Sequence, residues 1–398
     1  MKNNKVVLAF SGGLDTSYCV KYLIHEQNLE VNSAIVNTGG FSNEELKAIE
    51  KKAYDLGVKS HSTLEETDAY YNHIVKYLIF GNVLKNNTYP LSVSSERIHQ
   101  AIALANYAKS INASMIAHGS TGAGNDQIRF DLVFQLIAPD IKIITPIRDL
   151  QLSREAEIEY LAKHGIKLDW KKAQYSINKG LWGTSVGGVE TLTSHLPLPE
   201  SAYPSQLENK EPSKITLTFE KGELCGVNGE KMSAVKAIQT VEEIANKFAI
   251  GRDIHVGDTI IGIKGRVGFE AAAASIIIKA HHNLEKHTLS KWQLHWKEQL
   301  GNWYGMFIHE SQYFDPVMRN IESFLNDSQK NVSGDVFIAL HSFRFIVEGI
   351  ESKHDLMTSD FGNYGEMNKS WNGEDAKGFT KILANSMQIF NHVNSEKS

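Results

Sequence analysis

The sequence predicts an α/β protein with a parallel-sheet domain at its N-terminal end, an α+β domain after it, and a closing helix. Three observations predict it. The run Val6-Val7-Leu8-Ala9-Phe10 is apolar at every position and passes directly into Ser11-Gly12-Gly13. An amphipathic stretch then opens at Thr16 and Ser17, with Val20, Leu23 and Ile24 on one face. That is the pattern of a strand covered on both faces, a glycine turn and a helix. Strand and helix signals go on alternating to about residue 63, the order that builds a parallel sheet with right-handed crossovers and a ligand crevice at the strands' carboxyl ends. From Asp169 the pattern changes: Pro197, Pro199, Pro204 and Pro212 mark irregular chain, and Ile215-Thr216-Leu217-Thr218-Phe219 then alternates like a half-solvated strand.

In chain order, a second strand spans 31–36 and ends in Asn37-Thr38-Gly39-Gly40. Ser42-Asn43-Glu44-Glu45 is a capping box for a helix that runs to about Leu56 and stops at Gly57. A third strand follows at 58–63, a long helix at 68–85, a hydroxyl-rich loop at 87–94, a helix at 96–110 and a short buried strand at 115–117. The loop 118–130, HGSTGAGNDQIRF, interleaves three glycines with Ser, Thr, Asn and Asp. Residues 141–145 read as the last strand of this domain, and 154–163 as its last helix. In the second half, 175–185 reads as a loop dense in glycine and hydroxyls, and Asn228-Gly229 is a hairpin signal. Helices are expected at 235–248, 270–286 and 289–300, and strands at 255–263, 335–340 and 343–347. The expected units are 1–165, 166–360 and a tail of 361–398, whose helix at 379–393 carries Phe379, Leu383, Met387 and Phe390 at helical spacing. Such a stripe must be buried, and a partner subunit is the expected receiver.

Composition narrows the functional classes. Lysine and arginine number 41 against 46 acidic residues, a formal charge of −5, which disfavours a nucleic-acid surface as the main role. The two cysteines, Cys19 and Cys225, stand far apart and suggest neither a disulfide framework nor a zinc site. The apolar run 271–278 is too short to cross a bilayer, and the chain starts straight into its first strand, so an untargeted cytoplasmic protein without a membrane partner is expected. His281, His282 and His287 have no companion carboxylate or cysteine at ligand spacing and read as a solvated helix face.

The stretch 6–17 is where chemistry is expected. Consecutive glycines let successive N–H groups point into one concavity, and the helix that follows turns its positive end to the same place, which suits a phosphate. A Walker A loop needs a Gly-Lys dipeptide, which the chain lacks, and no GxGxxG follows the strand. A plain strand-to-helix turn capped by Asp15 and Thr16 is the simpler alternative. What stands is S-G-G-x-D-[ST], which resembles the pyrophosphate-binding loop of ATP-dependent ligases and amidotransferase synthetases with the adenine nucleotide alpha-hydrolase fold. Those enzymes cut ATP between its α- and β-phosphates.

Three segments in order, AFSGGLDTS, HGSTGAGNDQIRFD and YSINKGLWGTS, resemble the argininosuccinate synthase family, and GRDIHVGDTIIGIKGR resembles a further stretch of it. The resemblance implies a ligase that joins citrulline to aspartate with ATP. Ala9, Phe10, Ser11, Gly12, Gly13, Leu14, Asp15, Thr16, Ser17, the Val36 backbone and Gly119 would contact ATP. Thr121, Asn125 and Asp126 would hold aspartate, while Tyr89, Ser94, Asn125, Arg129, Ser176 and Ser185 would hold citrulline. Asp15, Asp126 and Arg129 would carry the chemistry. It implies attack of the ureido oxygen on the α-phosphate to give a citrullyl-adenylate and pyrophosphate, then attack of the aspartate amine to give argininosuccinate and AMP. Mg²⁺ would bridge phosphate oxygens beside Asp15, with no direct protein cage, and the tail resembles the helix by which the family forms homotetramers.

The chain departs from that family at Ala123, where many relatives have a lysine, and at Gly257 and Phe269, where the citrulline site has a glutamate and a tyrosine. Two readings of the latter pair stay open. Asp258 supplies the missing carboxylate through a small shift, or the acceptor is an N-acylated citrulline, whose acyl group, if acidic, pairs with Arg252 or Arg266. Rival classes are an ammonia-using synthetase or tRNA thiolase of the same superfamily, and a nucleotide sensor without chemistry. A thiolase needs a cysteine in a loop near the nucleotide, which neither Cys19 nor Cys225 provides.

Overall fold

The computed structural model describes residues 4–166, 175–358, 362, 364–366 and 370–395. The change of pattern read at Asp169 lies outside them, as does the start of the expected tail at Phe361. The N-terminal half is a five-stranded parallel sheet in the order β3-β2-β1-β4-β5. Its strands are β1 (Lys5–Ala9), β2 (Glu30–Asn37), β3 (Ser60–Glu65), β4 (Met115–Ala117) and β5 (Lys142–Ile144). Val6 and Leu8 pack on one face with residues of α1 (Leu14–His25), α2 (Asn43–Leu56) and α8 (Arg154–Lys163). Val7 packs on the other, with α5 (Ser92–Ser110) and α6 (Asp126–Ile137). That is why the first strand is apolar throughout. The strand order reverses between β1 and β4, so the loops leaving them flank the crevice where such sheets bind ligands.

The capping box at Ser42 and the left-handed Gly57, at φ 97°, bound α2 as the sequence indicates. The long helix expected at 68–85 is instead broken into α3 (Thr67–Tyr70), a π-turn over Tyr71–Val75 and α4 (Lys76–Phe80), with Gly81 closing it. Gly81 must stay bare because Gly301 of the second half packs against its backbone. The short α7 (Pro146–Asp149) follows β5.

The second half holds two sheets. The stretch expected as a loop at 175–185 is an antiparallel hairpin, β6 (Ser176–Gly180) and β7 (Gly183–Gly187). It joins β11 (Arg252–Asp258) and β12 (Lys264–Glu270) in the order β11-β12-β7-β6. The other sheet comprises β8 (Ser213–Glu220), β9 (Glu223–Val227), β10 (Glu230–Lys231), β13 (Gly334–His341) and β14 (Arg344–Glu351), with Asn228-Gly229 turning β9 into β10. Around them pack α9 (Ala234–Asn246), α10 (Ala272–Thr288), α11 (Lys291–His309) and α12 (Pro316–Ser328). One apolar core runs through both halves: Ile74, Leu104 and Trp182 belong to the cluster that includes Phe248 and Ile277. The last helix, α13 (Gly373–Asn394), buries none of its residues. No helix of the described residues is long and apolar enough to cross a membrane.

Candidate active site

The site forms where two glycine loops meet. Gly12 takes φ +75°, and α1 starts at Leu14 behind an N-cap Gly13 that offers no side chain. Asp15 and Thr16 therefore stand in the first turn and do not cap it, which corrects the capping expected of them in the simple-turn reading. The first intrahelical bond comes from Ser17 N to Gly13 O at 3.0 Å, so the earlier amides are left for an anion. Ser17 Oγ donates to the same carbonyl at 2.6 Å, and Lys52 Nζ to Gly12 O at 2.5 Å, which hold the loop's shape. From the neighbouring strand, Gly119 packs against this turn: a β-carbon there would lie 3.3 Å from Asp15 Cβ and 3.4 Å from Thr16 N. His118 fixes the second loop. Its Nδ1 accepts from Ser120 N at 3.2 Å, so Nε2 carries the proton and donates to Asp131 at 2.9 Å.

Beside Asp15, burial and the hydrogen-bonded Asp15 carboxylate push the Glu157 carboxyl up to about 8. A cation at this point would relieve the repulsion between the two groups, so the residues fit a divalent ion at the phosphates. Among the described residues no cluster of three or more His, Cys, Asp or Glu is arranged to cage a metal. Any Mg²⁺ would be carried mainly by phosphate oxygens, as that ion prefers.

Asp126 opens α6 and is held from two sides, by Arg97 Nε at 3.0 Å and by Arg129 Nη1 at 3.2 Å. Burial works against its charge, but Arg97 and then Arg129 outweigh that and keep its pKa below the usual value. Arg129 also donates to Ser94 Oγ and to the His309 carbonyl, both at 3.2 Å, while its buried Nε has no acceptor among the described residues. Asn125 Oδ1 accepts from Ile260 N at 2.8 Å, which brings the tip of the β11–β12 hairpin onto the second loop. Tyr89 is buried with its ring against His255 and Phe269, at centroid distances of 5.2 and 5.3 Å. Ser185 pairs directly with Phe269 across the sheet and with Asn178 on its other side. Ser176 lies at the exposed start of β6, and Thr121 in the exposed part of the second loop. Ala9 ends β1, Val36 is the last residue but one of β2, and Phe10 is buried with its ring edge-on to His61.

Several residues here escaped sequence reasoning. Arg97 joins Asp126 to Asn178 Oδ1, at 2.9 Å, and so ties the second loop to β6. Its neighbour Glu96 receives Gln100 Nε2 at 2.5 Å and presses on Gly180, where no β-carbon would fit. Both sit inside α5, where a charged pair reads as an ordinary helix face; their position just behind the hydroxyl-rich loop was the available signal. Burial raises the Glu96 pKa from 4.5 to about 7. The native state then holds the proton that the unfolded chain gives up, so this stabilisation is complete below about pH 4.5 and is lost as pH rises through about 7. We expect Glu96→Gln, which keeps the shape without the charge, to remove about 3 kcal/mol of the fall in unfolding free energy across that window. Urea melts at pH 5 and 7.5 measure it, and an unaltered pH slope would contradict the assignment.

The two arginines expected to meet an acidic acyl group are committed elsewhere. Arg252 pairs with Glu270 at 3.0 Å and with Glu200 at 2.6 Å, and Arg266 donates to the Glu190, Thr193 and Leu196 carbonyls. Asp258 does not replace the missing carboxylate either. Along β11 the inward positions are His255 and Gly257, whereas Asp258 faces out and pairs with Lys264 at 2.6 Å.

A five-stranded parallel sheet in the order β3-β2-β1-β4-β5, with a glycine turn leading into a helix at its switch point, is the fold of the HUP class. Residues 5–167 match the model of the "Arginosuccinate synthase N-terminal HUP domain" and 175–390 that of the "Arginosuccinate synthase C-terminal domain". The argininosuccinate synthase of Dictyoglomus thermophilum is 36% identical over 385 residues, covering 96% of each chain. That of Xylella fastidiosa is 34% identical over 406 residues, 99% of each, and that of Methanocaldococcus jannaschii is 36% identical over 363 residues, 90% of this chain and 91% of the relative. The chain belongs to the argininosuccinate synthase family and is a ligase.

Proposed function

We propose that this enzyme joins a citrulline-type ureide to aspartate in arginine biosynthesis, driven by cleavage of ATP to AMP and pyrophosphate. The observation that carries the reading is the packing of Gly119 on Asp15 and Thr16, which sets the phosphate cradle against the loop that presents Asn125, Asp126 and Arg129. ATP lies with its phosphates on the amides of 12–16. The ureido oxygen attacks the α-phosphate, the bond to the β-phosphate breaks, and pyrophosphate leaves. The adenylated carbon is then attacked by the aspartate amine, and AMP departs with the former ureido oxygen. Asp126 receives the aspartate ammonium, and Arg129 with Ser94 and Tyr89 holds the acceptor's amino-acid end. Mg²⁺, when bound, supplies charge neutralisation at the phosphates, with Asp15 the residue that would hold it. Positioning two bound reactants is worth on the order of 7–11 kcal/mol, and each amide aimed at developing phosphate charge roughly 3 kcal/mol.

Pyrophosphate release, measured with an acceptor present and with or without aspartate, tests this. A ligase releases it with acceptor and turns over with aspartate; an ammonia-using relative needs ammonia instead; a sensor releases none. The enzyme is further proposed to act as a cytoplasmic homotetramer. Phe379 and Phe390 on α13 are 65% and 66% exposed, and a stripe of that size calls for a cover. Light scattering is expected to give a tetramer that breaks down when residues 379–398 are deleted. An identical monomer before and after deletion would refute it.

A further inference from the structure

The surroundings of Tyr89 are rich in basic groups. Lys85 starts the loop that carries Tyr89, its backbone N–H donating to the Tyr89 carbonyl at 2.8 Å. Among the described residues its half-buried ammonium has only the Met306 sulfur, at 3.7 Å, as a hydrogen-bond acceptor. His255 is 7% exposed, stacks on Tyr89, and leaves a buried Nδ1 without a partner among the described residues. His309 gives its carbonyl to Arg129, whose own Nε is buried and unpartnered among those residues. These groups feel one another. Burial first, then Arg129, Lys85 and His255, push the His309 pKa down to about 3, and burial with Lys85 lowers that of His255.

Among the described residues the carboxylates of this neighbourhood are all assigned. Asp126 lies between two arginines and faces the aspartate substrate, and the two that attract Lys85 have other partners: Asp258 is on the outer face with Lys264, and Glu310 accepts from His309 Nδ1 at 3.1 Å. Gly257 lets the imidazole of His255 lie against the strand: a β-carbon there would come to 2.5 Å from His255 Nε2 and 3.4 Å from Asn86 Nδ2. A free α-ammonium delivered to Tyr89 would therefore meet lysine, arginine and imidazole with no spare carboxylate. An amide in its place carries no charge, and its carbonyl can take a proton donor from His255. A carboxylate further along would complete Lys85.

We infer that the preferred acceptor is a citrulline whose α-amino group is acylated by a short dicarboxylic acid, its amide beside His255 and its terminal carboxylate on Lys85. This rests on the ligase reading above and specifies its substrate class.

The test compares kcat/KM for pyrophosphate release by the full-length enzyme, with ATP, Mg²⁺ and aspartate, for citrulline, N-butanoylcitrulline and N-succinylcitrulline. The last two share a chain length and differ in the terminal carboxylate. N-succinylcitrulline is expected to exceed free citrulline by tenfold or more, with the butanoyl compound between them. Lys85→Met should cost the succinyl acceptor at least tenfold more than the butanoyl one, and Lys85→Arg should restore most of that difference. A preference for free citrulline overturns the inference and leaves the ligase reading standing. Equal use of the two acylated compounds, or equal losses in Lys85→Met, removes Lys85 from the assignment and overturns it as stated. Release with none of the three overturns both.

Discussion

Gly12→Ala is expected to slow pyrophosphate release about 100-fold, the scale of removing one preorganised donor from a developing oxyanion. The residue sits at φ +75°, where an alanine is strained by roughly 1–2 kcal/mol. The new methyl itself has room, since its nearest neighbour, Ile49 Cγ1, would be 3.4 Å away. The chain therefore relieves the strain by turning the amides of the cradle rather than by unfolding. Asp15→Asn should impair the same half-reaction for a different reason, loss of charge at the phosphates, without strain. Rapid-quench measurement of pyrophosphate in the absence of aspartate isolates this step. A Gly12→Ala enzyme with normal adenylation would mean that the phosphates lie elsewhere.

Asp126→Ala is expected to act on the other half-reaction. It should lower kcat/KM for aspartate roughly 100-fold, the worth of a lost charge-assisted hydrogen bond, while adenylate formation stays measurable. The substitution leaves Arg129 without its carboxylate, while Arg97 keeps Glu96 at 3.3 Å. Because the Asp126 side chain is 37% exposed, the stability loss is discounted to roughly 1–3 kcal/mol, less than for a sealed ion pair. Asp126→Asn separates the effects, since it keeps the shape and loses the charge. Loss of adenylate formation with normal aspartate affinity would show that the division of labour between the loops is wrong.

The cradle was legible because its evidence is local: an all-apolar strand, two glycines and a helix start follow one another within a dozen residues. The parallel order of the sheet followed from the same alternation. Long-range constraints were what the sequence hid. Residues 175–185 have the composition of a loop, yet they form β6 and β7 because Glu270, Phe269 and Gly268 offer β7 a partner strand. The glycines that suggested a loop have packing reasons, Gly180 yielding to Glu96 and Gly183 to Ala271. The helix expected at 68–85 ends early, where Gly81 meets Gly301, more than 200 positions away. The helix α12 was missed although Asp315 caps it, its side chain accepting from Val317 N at 2.9 Å, and Pro316 opens it. In the site, the two glycine loops and Tyr89, Ser94, Ser176 and Ser185 could be named from motifs, and the charged groups that contact them could not. Arg97 lies within a helix, Lys85 at the end of a turn, and His309 at the end of α11; only the fold brings them to Tyr89 and Asp126.

The central claim is that the ureido oxygen of the acceptor attacks the α-phosphate and leaves with AMP. An acceptor labelled with ¹⁸O in its ureido group, turned over once with ATP and aspartate, tests it by mass spectrometry of the products. The account predicts one ¹⁸O in AMP and none in pyrophosphate. Label retained in the amino-acid product, or transferred to pyrophosphate or inorganic phosphate, would contradict it.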